Sequence, residues 1–331
     1  MPSGQPQISV CIPAYNATLY IDKCIESILS QSFGDFELII VEDCSSDDTL
    51  SKLEAWSAKD TRIKLMRHEK NKGVSGSYND ALQSAEGKYV AIIDNDDYIL
   101  PGYLENLHSY AESNQADIVQ MGFEAYKEVD GKEVPHAVWV FPKQAVLFSP
   151  SLSKRLALYS PLRLHISPWG KLYRRDFLEK MKMRFHAARV AFDVLFHYQG
   201  LITAPRYVGL PLRLYHYRER VASYSHKIKF PREVEEYFST MIRHTKLLAD
   251  WLREMNLWEG NKAWQRAAID GYLLHYSEYF ARQVKEIGAD EVLTVLDEMA
   301  EKTYGENAPA FQSTLRAMVL SRLRPKSTPQ A

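Results

Sequence analysis

The sequence predicts a doubly wound α/β domain on a mainly parallel sheet with helices on both faces, followed by a helical region. Three observations predict it. Short apolar runs alternate with helical patterns through the first half, carboxylate-bearing clusters follow several of those runs, and long helical periodicity takes over beyond Pro231.

Taken in order, Ile8–Ile12 reads as the first strand, followed by Pro13-Ala14-Tyr15-Asn16. Ile21, Cys24, Ile25, Ile28 and Leu29 then fall on one face at helical spacing. Phe36–Val41 is the second strand, leading into Glu42-Asp43-Cys44-Ser45-Ser46-Asp47, where Ser46 or Asp47 can cap a helix carrying Leu50, Leu53 and Trp56. Ile63–Met66 and Tyr89–Ile93 follow as strands, the latter ending in Asp94-Asn95-Asp96-Asp97, and Ile118–Met121 is the fifth. Ligand sites of such sheets lie outside the carboxyl ends of the strands, so the three polar clusters are expected on one rim.

From about Val138 to Arg220 the pattern is broken by Pro142, Pro150, Pro161, Pro168, Pro205 and Pro211, and this region is expected to close over the sheet edge. Beyond it Val234, Tyr237, Phe238, Met241, Thr245 and Leu248 share a helical face, with further helices to about Leu323 and a disordered tail from Pro325 to Ala331. The expected division is 1–227, split into a ligand-binding part (1–124) and a closing part (125–227), and then a helical region, 228–331.

Composition excludes several classes. At 331 residues with 46% hydrophobic and 25% charged residues the chain can bury a full core and is neither disordered nor fibrous. Lys plus Arg (41) balance Asp plus Glu (42), so no basic field points to a nucleic-acid partner. Three cysteines, Cys11, Cys24 and Cys44, make a poor disulfide framework and fit a reducing compartment. No signal-like start and no run of ~20 apolar residues is present, so a cytoplasmic location is expected. Ala310–Leu323 combines apolar residues with Arg316, Arg322 and Arg324; the plain reading is an amphipathic helix packed on the core, and a peripheral contact at the inner face of a membrane, or pairing of two copies through C-terminal helices, stays open.

Three carboxylates within four positions, at Asp94, Asp96 and Asp97, repel one another unless a cation joins them. Mg²⁺ and Mn²⁺ prefer oxygen ligands and share them with substrate phosphates, so the cluster reads as a metal and diphosphate site. An acidic loop that caps the helix starting near Pro101 is the plainer alternative. Asp43 stands where doubly wound folds recognise a nucleoside, or serves as a cap. Pro13-Ala14-Tyr15-Asn16 is no G-x-G-x-x-G, which argues against a dinucleotide cofactor.

These residues together resemble family 2 glycosyltransferases, inverting transferases of the GT-A fold. The resemblance runs from Ile8 to about Ser223. It rests on Ser9-Val10-Cys11-Ile12-Pro13-Ala14-Tyr15-Asn16, Ser27-Ile28-Leu29-Ser30-Gln31-Ser32-Phe33, Glu37 to Asp43, Asn71-Lys72-Gly73-Val74-Ser75 with Asn79, and Gly87 to Ala91 leading into the D-x-D at Asp94-Asn95-Asp96. Trp169-Gly170-Lys171-Leu172-Tyr173-Arg174-Arg175 is similar to a segment of bacterial members that build surface polysaccharide.

The resemblance implies that Pro13, Ala14, Tyr15 and Asn16 line the nucleoside, that Asp43 accepts from a uracil ring nitrogen, and that Gly73, Asn79 and Asn95 help bind the donor. It implies that Asp94 lies near ribose and diphosphate, that Asp96 with Asp94 holds Mn²⁺ or Mg²⁺, and that Trp169 and Lys171 face the acceptor. Asp193 matches the general base, and Arg218 or Arg220 can reach the diphosphate with a bidentate guanidinium. His216, between two tyrosines on an expected strand, reads as packing. The expected partners are a nucleotide-sugar donor, with UDP as its nucleotide, and a saccharide or lipid-linked acceptor. The Q-x-x-R-W signature of processive members is missing, which implies addition of one or a few sugars.

Three positions depart from the family pattern: Cys44 replaces a usual glycine, Tyr78 an arginine and Phe192 a glutamate. They motivate the alternative of a catalytically degenerate nucleotide-sugar binder or assembly protein with the same fold. A nucleotidyltransferase is a weaker alternative, because no glycine-rich phosphate loop appears near the N-terminus.

Overall fold

The computed structural model describes residues 4–129, 132–140, 142–148, 151–159, 164–188, 191–219 and 232–257, then 267–273 and scattered residues to 317. The elements in chain order are β1 (Ile8–Ala14), α1 (Ile21–Leu29), β2 (Phe36–Glu42), α2 (Thr49–Lys59), β3 (Ile63–Arg67), α3 (Gly73–Ser84) and β4 (Tyr89–Ile92). Then come β5 (Tyr98–Ile99), α4 (Tyr103–Asn114), β6 (Ile118–Gln120), β7 (Phe123–Val129), β8 (Lys132–Trp139), β9 (Val146–Phe148) and α5 (Leu152–Tyr159). The remainder is β10 (Lys171–Arg174), α6 (Arg175–Lys180), α7 (Phe192–Thr203), β11 (Tyr207–Gly209), β12 (Tyr215–Glu219) and α8 (Arg232–Glu254).

The chain divides into two compact units, residues 1–151, 164–188 and 192–226 in one and residues 152–163, 189–191 and 227–331 in the other. The first unit carries an eight-stranded sheet in the order β3-β2-β1-β4-β10-β6-β11-β9 and a four-stranded sheet in the order β5-β12-β7-β8. Neighbours β3, β2, β1 and β4 pair in parallel. Every residue of β1 and β2 is buried, as expected of parallel strands covered on both faces, and both are largely apolar, broken only by the buried polar residues Ser9, Glu37 and Glu42. Ile8, Val10, Ile12 and Ala14 share one core with Ile21, Cys24, Ile25 and Ile28 of α1 and Leu104, Leu107 and Ala111 of α4. Helix α3 lies against β1 and β2.

The sheet differs from the expectation in its second half. The segment after Val138, expected to close over the edge, instead supplies interior strands. β10 runs antiparallel between β4 and β6, and β11 pairs in parallel with β6. Lys171 and Arg174 give β10 a surface-like appearance, yet Lys171 is fully buried. The four-residue strand offers too little periodicity to be recognised.

The caps also differ. Helix α2 starts at Thr49, and Asp47 accepts from the backbone N–H groups of Thr49 (3.0 Å) and Thr18 (3.2 Å), so it knits two loops together. The acidic loop does not cap α4: β5 intervenes, and the helix is preceded by Gly102 at φ +84° with no side-chain cap. Left-handed backbone is what glycine permits at that position.

The second unit contains α5 and α8. Met241, Thr245 and Leu248 of the expected apolar face are buried there. The side chains of Val234, Tyr237 and Phe238, most of Ala310–Leu323 and all of Pro325–Ala331 lie outside the described residues. Among the described residues no helix is long and apolar enough to cross a membrane.

Candidate active site

Parallel register places the carboxyl ends of β1, β2 and β4 side by side, with Ala14 opposite Glu42 and Cys11 opposite Ile92. The three polar clusters therefore meet on one rim and are bonded to each other. Asp43 N donates to Ala14 O at 2.9 Å, Asn95 Nδ2 to Pro13 O at 2.7 Å, and Ser46 N to Asn16 Oδ1 at 2.9 Å. Asn16 has φ +48°, a conformation that asparagine tolerates better than most residues. Pro13 and Ala14 are buried, whereas Tyr15 is 49% exposed and free to present its ring to a planar ligand.

Oxygens of Asp94, Asp96 and Asp97 lie within 4.8 Å of one another. Unit charges that close repel by about 3 kcal/mol per pair at an effective dielectric of ~20. The structure divides the burden unequally. Asp97 is buried, and its carboxylate accepts from Tyr215 Oη at 2.6 Å and from Arg218 N at 2.7 Å. Burial, then the charges of Asp96 and Asp94, hold its carboxyl well above the usual carboxylate range. Asp94 and Asp96 keep partial exposure. Hard oxygen donors of this kind, two of them reachable from solvent, fit Mg²⁺ or Mn²⁺. Tyr215 is the fulcrum of the loop: it also accepts from Asp94 N at 3.2 Å, and its ring stacks on Trp169 at 4.5 Å and 4°.

Asp43, 2% exposed, accepts from Lys72 N at 2.7 Å on Oδ1 and from Gly73 N at 2.8 Å on Oδ2, and meets His68 Nδ1 at 2.6 Å. The other His68 nitrogen lies 2.7 Å from Asp80. The carboxylate expected to read a nucleobase is thus first the organiser of the 68–73 loop, with little acceptor capacity left over. Gly73 sits at φ +76°, where a side chain would be strained by backbone rather than by neighbours.

Asp193 lies in the first turn of α7. Burial pushes its carboxyl up to about 6, against opposing effects of its own backbone N–H, of the Lys171 charge and of Val194 N–H. A carboxylate near neutral pKa suits proton abstraction.

Three neighbouring residues have surroundings that differ from their expected roles. Lys171 does not face an acceptor: its ammonium is enclosed, within 2.5 Å of Ser167 O and 3.1 Å of His165 O and Nδ1, and burial holds it well below the usual lysine range. Trp169, 5% exposed, supports Tyr215 instead of offering an open platform. Asn79 spends both ends of its amide on Phe185, donating to the carbonyl at 2.8 Å and accepting from the N–H at 2.9 Å, and so clamps that backbone.

Arg218 is 9% exposed and already engaged. It donates through Nε to Asp96 O at 3.0 Å and pairs through Nη2 with Glu133 at 2.7 Å, its guanidinium 4.9 Å from the Tyr20 ring centre. Arg220 lies outside the described residues. His216 is buried against Tyr98 and Tyr126, in keeping with packing. Glu133 and Tyr215 were not singled out from the sequence. Glu133 joins Lys23 (2.8 Å), Tyr98 Oη (2.9 Å) and Arg218 behind the acidic loop, and nothing in its charged surroundings on β8 signals that reach.

A mainly parallel rim that gathers a D-x-D loop and a loop-held carboxylate has the arrangement of a GT-A-type fold. Residues 9–182 match the sequence model "Glycosyl transferase family 2", more than half of the chain, and the chain belongs to that family. It is 33% identical over 218 residues to the uncharacterized glycosyltransferase EpsJ of Bacillus subtilis, covering 65% of this chain and 61% of that protein. To the poly(ribitol-phosphate) beta-N-acetylglucosaminyltransferase TarS of Staphylococcus aureus it is 26% identical over 325 residues, covering 96% of this chain and 52% of that protein. The crystal structure of S. aureus TarS 1-349 in complex with UDP-GlcNAc superposes with a TM-score of 0.70 at 22% identity, covering 96% of this chain and 89% of that one, which shows the shared fold. The matched stretches thus span less than two thirds of these curated relatives' own lengths.

Proposed function

We propose that the protein is an inverting glycosyltransferase that moves a sugar from a nucleoside diphosphate donor to an acceptor hydroxyl. The observation that carries the reading is the division of labour in the acidic loop: Asp97 is consumed by Tyr215 and Arg218, while Asp94 and Asp96 stay reachable beside the nucleoside rim. Asp94 and Asp96 would hold Mn²⁺ or Mg²⁺, which when bound offsets charge on the departing diphosphate. Pro13, Ala14, Tyr15, Asn16, Asp43, Gly73 and Asn95 shape the nucleoside side. The complexes of TarS with UDP-GlcNAc and with UDP support a uridine nucleotide.

Asp193 takes the proton of the acceptor hydroxyl, whose oxygen attacks the anomeric carbon from the face opposite the leaving nucleotide. One displacement inverts the configuration, and no covalent sugar intermediate is required. Arg218 steadies the loop through Asp96 O. Residues 1–124 would supply the donor side and 125–227 the acceptor side, with a saccharide or lipid-linked acceptor in bacterial surface-polysaccharide synthesis. The name of TarS, a poly(ribitol-phosphate) beta-N-acetylglucosaminyltransferase, supports a polymer setting.

The test is a thermal-shift panel of nucleotide sugars with and without Mn²⁺, followed by donor turnover. Ligand binding raises the apparent melting temperature by mass action. A Mn²⁺-dependent shift with a UDP-sugar that is lost in Asp96→Ala supports the reading. No shift with any nucleotide sugar refutes it, and a shift without either transfer or slow donor hydrolysis assigns the chain to non-catalytic binding.

A further inference from the structure

Two of the departures from the family pattern, Tyr78 and Phe192, lie 114 positions apart in sequence but meet in space. Tyr78 is fully buried in α3, and its ring stacks on Phe185 at 4.7 Å and 28° and faces Phe192 at 6.1 Å and 27°. Phe185 and Phe192 complete the triangle at 6.2 Å. The phenol oxygen of Tyr78 donates to Asp94 Oδ1. Phe192 immediately precedes Asp193 and opens α7.

The surroundings hold this cluster in register. Asn79, next to Tyr78, clamps the Phe185 backbone with two hydrogen bonds, and Ser75 Oγ donates to His186 O at 3.2 Å. One helix therefore carries both the donor to Asp94 and the anchors of the segment that leads toward α7. A carboxylate rotates easily about its last torsion, and a fixed donor on one oxygen selects its plane.

We propose that Tyr78 is a positioning residue for Asp94 and that, with Phe185 and Phe192, it links the acidic loop to the first turn of the base helix. The observed geometry brings positions 78 and 192 together through the Tyr78 and Phe192 rings. The two substitutions are therefore one coupled change and not two separate losses. The inference rests on Asp94 serving the donor site, as proposed above.

The decisive variant is Tyr78→Phe, which keeps all three rings and removes only the hydroxyl. Calorimetric titration of UDP in the presence of Mn²⁺ should give binding weakened about ten-fold, as expected for losing a hydrogen bond to a charged group, with the ligand-free melting temperature little changed. Coupling is read from Tyr78→Arg, Phe192→Glu and the double variant. Phe192→Glu alone adds a carboxylate beside Asp193 and should weaken binding and turnover, and the double variant should recover most of that loss. Unchanged or tighter Mn²⁺–UDP binding by Tyr78→Phe overturns the positioning role, and a double variant no better than the product of the singles overturns the coupling. If the unaltered protein binds no Mn²⁺–UDP, the donor-site reading fails first and separately.

Discussion

The pH dependence of turnover follows directly from where Asp193 sits. Its carboxyl is pushed up to about 6, chiefly by burial at the start of α7. A general base must be ionised, so with that value about nine tenths of the molecules are competent at pH 7 and about one tenth at pH 5. An ordinary aspartate, near 3.9, would stay more than ~90% ionised over the same interval. The environment of one side chain therefore changes the expected loss from under ~10% to about ten-fold. The assay is single-turnover nucleotide release at saturating donor and Mn²⁺, which keeps titration of the donor site out of the rate. Asp193→Asn, which cannot ionise, should lower the rate by ~10²-fold or more and abolish the acid limb, with donor binding nearly intact. A flat profile from pH 5 to pH 7, or the same limb surviving in Asp193→Asn, would refute the assignment.

Two further outcomes separate structural from ligand-facing roles. Tyr215→Phe keeps the stack on Trp169 but takes the hydroxyl from Asp97 and from Asp94 N, so chemical denaturation should show a loss of roughly 1.5–3 kcal/mol, the range for hydrogen bonds to charged groups. A loss below ~0.5 kcal/mol would mean that solvent replaces the hydroxyl. Asn79→Ala strips Phe185 of both backbone partners and should cost about 2 kcal/mol of stability, while the calorimetric dissociation constant of Mn²⁺–UDP stays within about two-fold. A selective loss of nucleotide affinity with unchanged stability would restore the donor-contact role expected from the motif.

The sheet was readable where physics is local. β1, β2 and β4 are mostly apolar because they are buried on both faces, and the rim rule puts Asn16, Asp43 and Asp94 together. β10 escaped because its burial depends on partners that sequence spacing does not reveal: Lys171 becomes an interior residue only by donating to the carbonyls of His165 and Ser167. The same reason hid Tyr215 and Glu133, whose importance lies in contacts made across more than thirty positions of chain. Asn79 shows the opposite case. Its motif position was recognised, but the family pattern does not say which way an amide spends its hydrogen bonds.

The position of β10 bears on how the protein is made. Strand β4 emerges from synthesis with β1 on one flank, but its other neighbour is encoded some eighty positions later, after β6, β7, β8 and β9 have already appeared. Until then the growing polypeptide carries an open, apolar strand edge, the kind of surface that recruits other chains. A fragment ending at residue 124 should accordingly clump when expressed, and folding of residues 1–124 has to wait for a strand delivered from the following hundred residues.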